Sequence, residues 1–586
     1  MPTETDAHET LLGWIAAPDA RRGIRFARDD HWEFWSYERL AGLAERVAAG
    51  LRAHGVRRGD VVSVVQPAGP HFVATLFGAL LAGAAASPVA PPLAFTDRDV
   101  YRGHVAGLIG TAAPALVVAE AHLVPRISEI AATAGAVRVV ATEEVIAAGD
   151  GPVRADPGEV ALLQFTSGSS GHARGVAVPY HALAANVAAI RAWLRMTPGD
   201  ATASWLPVHH DMGLIGCLIT PVVGGGDLWQ LPPEEFVRDP IRFLRCFDAG
   251  TGDLGEPQAV LTSMPSFGLG YIVRRARPAA LAGLDLSALR AVIVGAERVD
   301  PQVLERFCAL LEPYGFDRRA ILPAYGLAEA TLAVTGLPLG EGWSMLRVRP
   351  SSLNLGAAIA DADAHADAHA DADADADPRG AADPGGAQPV VGCGRPLDGV
   401  QVSVVDEDGA PLPDGVVGEI VVRGESVTPG YVAGCAAGSG SLTSIEDGVL
   451  RTGDVGFRHD GQLYVLGRLG DSLKLRGRAL FAEDLELAMN HAGIPEQRMA
   501  ALLGYRSGTA TVVAMFEQAQ QSWVEAASRL LSMRTEGAEV VLVSAPRGAI
   551  ARTSSGKPKR RQLWQAFIDE RLPGTVITAQ AGGRDD

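Results

Sequence analysis

The chain has 586 residues, 51 of them basic and 68 acidic, for a net charge of −17, and 47% of it is hydrophobic. An acidic chain with no basic arm argues against nucleic acid or an anionic membrane as its main partner, and the hydrophobic content excludes a wholly disordered chain. Single cores rarely grow beyond roughly 250 to 300 residues, so more than one domain is expected. Cys217, Cys246, Cys308, Cys393 and Cys435 are odd in number, far apart and never in a CxxC pair. Neither a zinc ribbon nor a disulfide scaffold is expected from them, and a reducing, cytoplasmic setting is. The N-terminus, MPTETDAHET, lacks a basic region followed by an apolar core and does not read as a signal peptide.

In chain order, YERLAGLAERVAAGLRAHG places Leu40, Leu43, Val47 and Leu51 on one helical face, with a glycine after His54 as the stop. VVSVVQ (61–66) and ALVVAE (115–120) are short β-branched runs of the kind that form buried parallel strands. Between them, the apolar stretch from Val73 to Val89 reads as a buried helix running into a strand; no integral membrane segment is expected. The alternation continues through AVLTSMP (259–265) and RAVIVGAE (290–297), which predicts an α/β architecture on large sheets. From about residue 400, DG and PDG turns separate alternating strands, a compact β-barrel-like unit. The chain is thus expected to divide into a large domain over 1–467 and a small α+β domain over 468–586. Residues 361–377, DADAHADAHADADADAD, hold seven aspartates and no large apolar group. Disorder is expected there on composition, the functional alternative being a metal-binding or acidic docking tract.

Four stretches carry chemistry. LLQFTSGSSGHARGVAVPY (162–180) leads from a strand into Thr166-Ser167-Gly168-Ser169-Ser170-Gly171, followed by Arg174. Small residues and hydroxyls let backbone N–H groups approach a polyphosphate, although this is not a Walker A sequence. ILPAYGLAEATLAVT (321–335) sets Tyr325 four residues before Glu329; residues 448–478 contain TGD, then GR; and RTSSGKPKRR (552–561) places Lys557 in a GKxxR pattern. Together, in this order and across nearly the whole chain, these motifs resemble the adenylate-forming superfamily of acyl- and aminoacyl-activating enzymes. SWLPVHHDMGLIG (204–216), YGLAEATLAVT (325–335) and VGCGRPL (391–397) look like its fatty acyl-AMP ligase branch, and residues 336–390 stand where that branch carries an insertion. A metal site at the HHD triplet is the competing interpretation, with no third ligand spacing evident.

The resemblance implies two half-reactions: a carboxylate attacks the α-phosphate of ATP, then a thiol displaces AMP. It implies that Thr166 to Gly171 embrace the β- and γ-phosphates with Arg174 in support, and that Glu329, with Thr166, holds Mg²⁺. Tyr325 and Gly326 would flank adenine, with Gly295, Ala296 and Glu297 lining that pocket. Asp454 would accept the ribose hydroxyls, Arg468 would assist, and His210 would stand near the acyl carboxylate and the thiol entrance. Lys557 would reach carboxylate and α-phosphate together as a compact point charge. Only Lys474, Lys557 and Lys559 are lysines, against 48 arginines, so a lysine inside GKxxR stands out.

Two positions depart from the family pattern. Ala173-Arg174-Gly175 replaces Pro-Lys-Gly, and Gly470 occupies the hinge position usually held by Asp or Lys, which predicts a looser domain equilibrium. About 25 residues come after GKxxR, too few for a carrier domain. The resemblance therefore implies transfer of a fatty or related acyl group to an acyl carrier protein in trans. An acyl-CoA synthetase using free coenzyme A is the enzymatic alternative, and a catalytically silent nucleotide-binding scaffold is the non-enzymatic one. TSMPSFGLG (262–270) and LIGCLITPVVGGG (214–226) are expected to line an acyl tunnel.

Overall fold

Helices Tyr37–Ala53 and Pro70–Leu81 cross face to face over a six-stranded sheet, burying Leu40, Leu43, Val47 and Leu51 as their spacing predicts. The crossing is close because Gly78 has no side chain: a Cβ there would lie 2.8 Å from Val47 Cγ1 and 2.9 Å from the Ala44 carbonyl. The structure is a computed structural model, which describes residues 3–580 apart from 93–97, 136, 167–173, 251–255, 361–386, 433–441, 476–477, 536 and 554–555. The Asp/Ala tract at 361–377 thus lies outside the described residues.

The six-stranded sheet runs, by strand, 139–141, 116–119, 61–65, 85–88, 160–166 and 174–179. All neighbours are parallel except the last two, which form an antiparallel hairpin. A nine-stranded sheet holds the parallel strands 321–326, 291–294, 259–264, 201–204, 227–230 and 23–28, with antiparallel strands at both edges. The Val73–Val89 stretch is a buried helix ending at Leu81 followed by the strand Ala85–Pro88. Among the described residues no helix is long and apolar enough to cross a membrane.

The β unit after residue 400 is a five-stranded antiparallel sheet around the long strand Val449–His459, which pairs with Gln462–Arg468. The C-terminal segment has its own four-stranded sheet and its own core around Leu485, Met489, Val512 and Leu531. The architecture is the expected α/β one: large mixed sheets, a smaller β unit and a compact α+β C-terminal part. Both large sheets point strand ends at one crevice, the usual place for a ligand in open α/β sheets.

Candidate active site

A cavity of about 610 Å³ opens where the two large sheets, the β unit and the C-terminal part meet, a volume within the range of small-molecule sites. The strand Val160–Thr166 delivers Thr166 to its wall. Thr166 pairs with Arg174 across the hairpin, whose two strands flank the Ser/Gly stretch in sequence. Ser167, Gly168, Ser169, Ser170 and Gly171 themselves lie outside the described residues. The Thr166 hydroxyl is buried without a hydrogen-bond partner among the described residues.

The strand Ile321–Gly326 brings Tyr325 and Gly326 to the same cavity. Gly326 is required by the returning backbone: a Cβ there would sit 1.9 Å from the Leu332 carbonyl. That return carries Glu329 inward on a single 3-10 turn, Ala328–Ala330, and Thr331 completes it at φ +68° with its hydroxyl donating to Ser426 O at 2.7 Å. Glu329 is 5% exposed. Its Oε1 accepts from the Tyr431 hydroxyl at 2.6 Å and faces Arg174 Nη2 at 3.4 Å, while the Arg174 guanidinium lies 4.1 Å over the Tyr431 ring. Burial and the Glu329 carboxylate push the Tyr431 phenol well above its ordinary range, so it stays a donor. Tyr431 does not stand out in the sequence; the Pro-Gly turn just before an aromatic is the available signal.

Asp454 and Arg468 are directly opposite one another on the antiparallel strands Val449–His459 and Gln462–Arg468. Asp454 Oδ1 lies 3.0 Å from Arg468 Nε, and Asp454 Oδ2 accepts from the Tyr325 hydroxyl at 2.7 Å. A hydrogen bond to a charged, buried group contributes about 1.5–3 kcal/mol, so this triad fixes the Tyr325 ring in place. Burial first, and Asp454 second, raise the Tyr325 phenol far above its usual value; Asp454 raises the Arg468 guanidinium likewise. Arg468 lines the cavity, and Asp454 stands behind it.

Gly295, Ala296 and Glu297 line the cavity from the loop after the strand Ala291–Val294, with Ala296 at φ +69°. Glu297 Oε1 accepts from the Phe267 N–H at 2.8 Å. Burial, then the Glu496 carboxylate, push the Glu297 carboxyl up to about 8, against the opposing pull of that N–H and of Lys557. His210 also lines the cavity. Its ring centroid is 4.6 Å from that of His209, whose pKa burial drives well below the usual value. The two imidazoles do not converge with a third metal ligand among the described residues. The next helix, Met212–Ile219, is a π-helix, a form common beside functional sites.

Lys557 enters from the C-terminal part. Its loop is tied by Lys557 N to Thr553 Oγ1 at 3.1 Å, Thr553 N to Lys557 O at 2.8 Å, and Arg552 Nη1 to Gly556 O at 2.9 Å. Arg560, the arginine of GKxxR, opens the helix Arg560–Ile568 and anchors its first turn. Its Nη1 is 3.0 Å from Asp471 and 3.1 Å from Glu483, and its Nη2 is 2.6 Å from Glu486. Burial opposes that charge, yet the three carboxylates hold Arg560 firmly protonated. The Lys557 side chain keeps solvent access at the crevice mouth. Partial desolvation against the cavity walls, then the Arg468 cation, lower its pKa from the ordinary lysine value, while Glu297 and Asp454 oppose that shift.

The apolar part of the cavity differs from the sequence expectation. Thr262, Ser263, Pro265 and Phe267 line it as expected, but of residues 214–226 only Gly216 and Cys217 reach it. Leu214, Ile215, Leu218 and Ile219 face the core instead. A deep wall comes from Ile190, Trp193 and Leu194, which end the helix starting at Tyr180. That helix shows too weak an apolar asymmetry in sequence to be told from any buried helix.

A strand that ends at Thr166 in the cavity wall, a phenol–carboxylate–guanidinium triad and a lysine that enters from the C-terminal part are the arrangement of an adenylate-forming, acyl-activating ligase. The chain belongs to the AMP-binding enzyme family, whose model matches residues 16–373 and 374–432. It is 30% identical over 585 residues to a Caulobacter vibrioides protein provisionally named an acyl-CoA synthetase, covering 97% of this chain and 96% of that one. It is 28% identical over 582 residues to the medium-chain-fatty-acid–[acyl-carrier-protein] ligase JamA of Moorena producens, covering 94% and 93%. Among solved structures it is similar to one from a study of fatty acyl-adenylate ligases of E. coli and L. pneumophila, with TM-score 0.83, 27% identity, and 97% and 98% of the two chains covered. The resemblance to fatty acyl-AMP ligases read from the motifs therefore holds, and ATP is the nucleotide this class uses.

Proposed function

We propose that the protein condenses a fatty or related carboxylic acid with ATP to acyl-AMP and pyrophosphate, then passes the acyl group to the phosphopantetheine thiol of an acyl carrier protein in trans. The observation that carries this is the single cavity shared by Thr166, Tyr325, Glu329, Arg468, His210 and Lys557, residues from five separate stretches of sequence. An oxygen of the substrate carboxylate attacks the α-phosphorus, and the bond from that phosphorus to the bridging oxygen breaks as pyrophosphate leaves. Such a transfer needs positioning and charge stabilisation more than covalent help. Lys557 supplies a compact positive charge where both anions converge. Tyr325, Gly295, Ala296 and Glu297 frame the adenine, and Asp454 with Arg468 holds the ribose side. Arg174 supports the phosphates with Thr166 and the loop Ser167–Gly171. His210 faces the carboxylate and the entering thiol.

The buried Thr166 hydroxyl and the Glu329 carboxylate are oxygen donors of the kind Mg²⁺ prefers. They would hold the ion, which neutralises phosphate charge when bound. The apolar wall at Ile190, Trp193 and Leu194 suits an alkyl chain. The large domain (1–467) and small domain (468–586) would divide the labour, the second carrying Lys557, in the cytoplasm.

The test is incubation with ATP, a series of fatty acids, and either coenzyme A or a phosphopantetheinylated carrier protein. Pyrophosphate release with acyl-carrier thioester is the expected result. Acyl-CoA as the product would favour the second reading, an acyl-CoA synthetase, which the name of the Caulobacter relative supports. No pyrophosphate exchange with any acid would leave a nucleotide-binding scaffold.

A further inference from the structure

The loop after the strand Ala291–Val294 faces two ways. Gly295, Ala296 and Glu297 line the cavity, while Arg298 and Asp300 turn to the C-terminal part. Arg298 Nη1 lies 2.5 Å from Asp484 Oδ1 and donates to the Leu466 carbonyl at 2.5 Å. The second Asp484 oxygen accepts from Gln388 Nε2 at 2.6 Å. Asp300 caps the helix Pro301–Leu311 with Oδ1, which accepts from Gln302 N at 2.9 Å, and its Oδ2 lies 3.0 Å from His491 Nε2. Asp484 and His491 are seven residues apart on the helix Ala482–His491, two turns along one face. The side chains of Arg298, Asp484 and Asp300 are only 12%, 8% and 7% exposed, so these are enclosed contacts rather than loose surface pairs.

The same helix leads to the lysine. Glu483 and Glu486, flanking Asp484, hold Arg560, which stands three residues after Lys557. A continuous set of short polar contacts therefore runs from the nucleotide-pocket loop through Arg298, Asp484 and the helix to Arg560 and the Lys557 loop. We infer that Arg298 and Asp300 are positioning residues that dock the helix Ala482–His491 and so hold Lys557 in the cavity for adenylation. The inference rests on the adenylating role proposed for Lys557. Because one loop both lines the pocket and carries the docking contacts, a nucleotide that orders 295–297 also favours docking.

The test uses full-length Arg298→Ala, Asp484→Asn and the charge exchange Arg298→Asp/Asp484→Arg, with Lys557→Ala in parallel. ATP–pyrophosphate exchange is measured with the saturated fatty acid that wild type activates best, acyl transfer with its synthetic acyl-AMP, and docking by protease cleavage at the 468–471 linker. Breaking an enclosed pair should cut exchange at least about tenfold, leave transfer from supplied acyl-AMP at or above wild type, and speed linker cleavage. The charge exchange should restore part of the loss. Lys557→Ala should lose exchange with cleavage unchanged. Wild-type exchange in Arg298→Ala beside a dead Lys557→Ala overturns the docking role alone. Loss of exchange and transfer together, without rescue, also overturns it, as a folding defect. If Lys557→Ala still exchanges, the role of Lys557 falls instead, and docking is then decided by cleavage: an unchanged rate in Arg298→Ala overturns it.

Discussion

Lys557 is held by its loop and makes no ion pair among the described residues, and its charge is crowded by Arg468. A guanidinium at that position is wider and planar, and would meet Arg468 sooner. Lys557→Arg is therefore expected to lower acyl-AMP formation by at least about a hundredfold, the scale of a lost charge contact to a transition state. Transfer from preformed acyl-AMP should be spared; hydroxamate trapping and a transfer assay measure the two. Glu297 gives a pH prediction. Its folded-state pKa is raised from 4.5 to about 8. The native state thus binds a proton that the unfolded chain releases, and stability declines as pH rises from about 4.5 to about 8. Above that, carboxylates at Glu297 and Glu496 repel across the junction of the two lobes. Glu297→Gln should flatten that decline in thermal melts taken across the window. Tyr325, Glu329, Asp454, Arg468 and Lys557 were legible in the sequence because each sits in a short motif. Tyr431, Arg298 and Asp484 were not, since their partners lie about 100 to 190 residues away and only the fold brings them together.

The elements were legible where periodicity and length agreed. The helix Tyr37–Ala53 and the strands 61–65, 116–119, 259–264 and 291–294 follow from patterning alone, as does the helix-to-strand passage ending at Pro88. The π-helix Met212–Ile219 was not, because one extra residue per turn leaves no mark in a uniformly apolar run. The acidic tract yields a prediction at this scale. Met345–Val348 pairs with Gln388–Val391 in register Val348 to Gln388, and Arg349 N donates to Ala360 O at 2.9 Å. Both ends of the segment 361–386 therefore meet at one place on a short ladder. Replacing it with a six-residue Gly/Ser linker closes the same gap with a shorter loop, a change of only about 1 kcal/mol and in the stabilising direction. Melting temperature and ATP–pyrophosphate exchange should stay at wild-type levels. A loss of exchange at unchanged stability would give the tract a functional role, the docking or metal-binding alternative raised by its composition.

At the scale of the whole molecule, Lys557 and the residues 295–297 and 325–326 that line the same cavity belong to parts with separate sheets, and the chain between those parts passes through Gly470. Among the described residues, a Cβ added there would meet Arg561 Nη2 and Leu442 Cδ1, both at 3.8 Å, ordinary contact distances. The site thus has room for a side chain, and glycine there leaves the linker its full conformational freedom. Gly470→Asp would narrow that freedom and place a carboxylate within reach of Arg561, one residue after the buried anchor Arg560. Both effects favour the arrangement in which Lys557 lies in the cavity, together by about 0.5–1 kcal/mol at a partly exposed site. On the proposed two-step reaction the substitution should raise acyl-AMP formation by roughly two- to fivefold at subsaturating ATP and slow thioester formation by a similar factor, because the second step needs the lobes to part. Pre-steady-state measurement of each half-reaction decides it. Unchanged rates in both would mean that the hinge side chain has no bearing on the domain equilibrium.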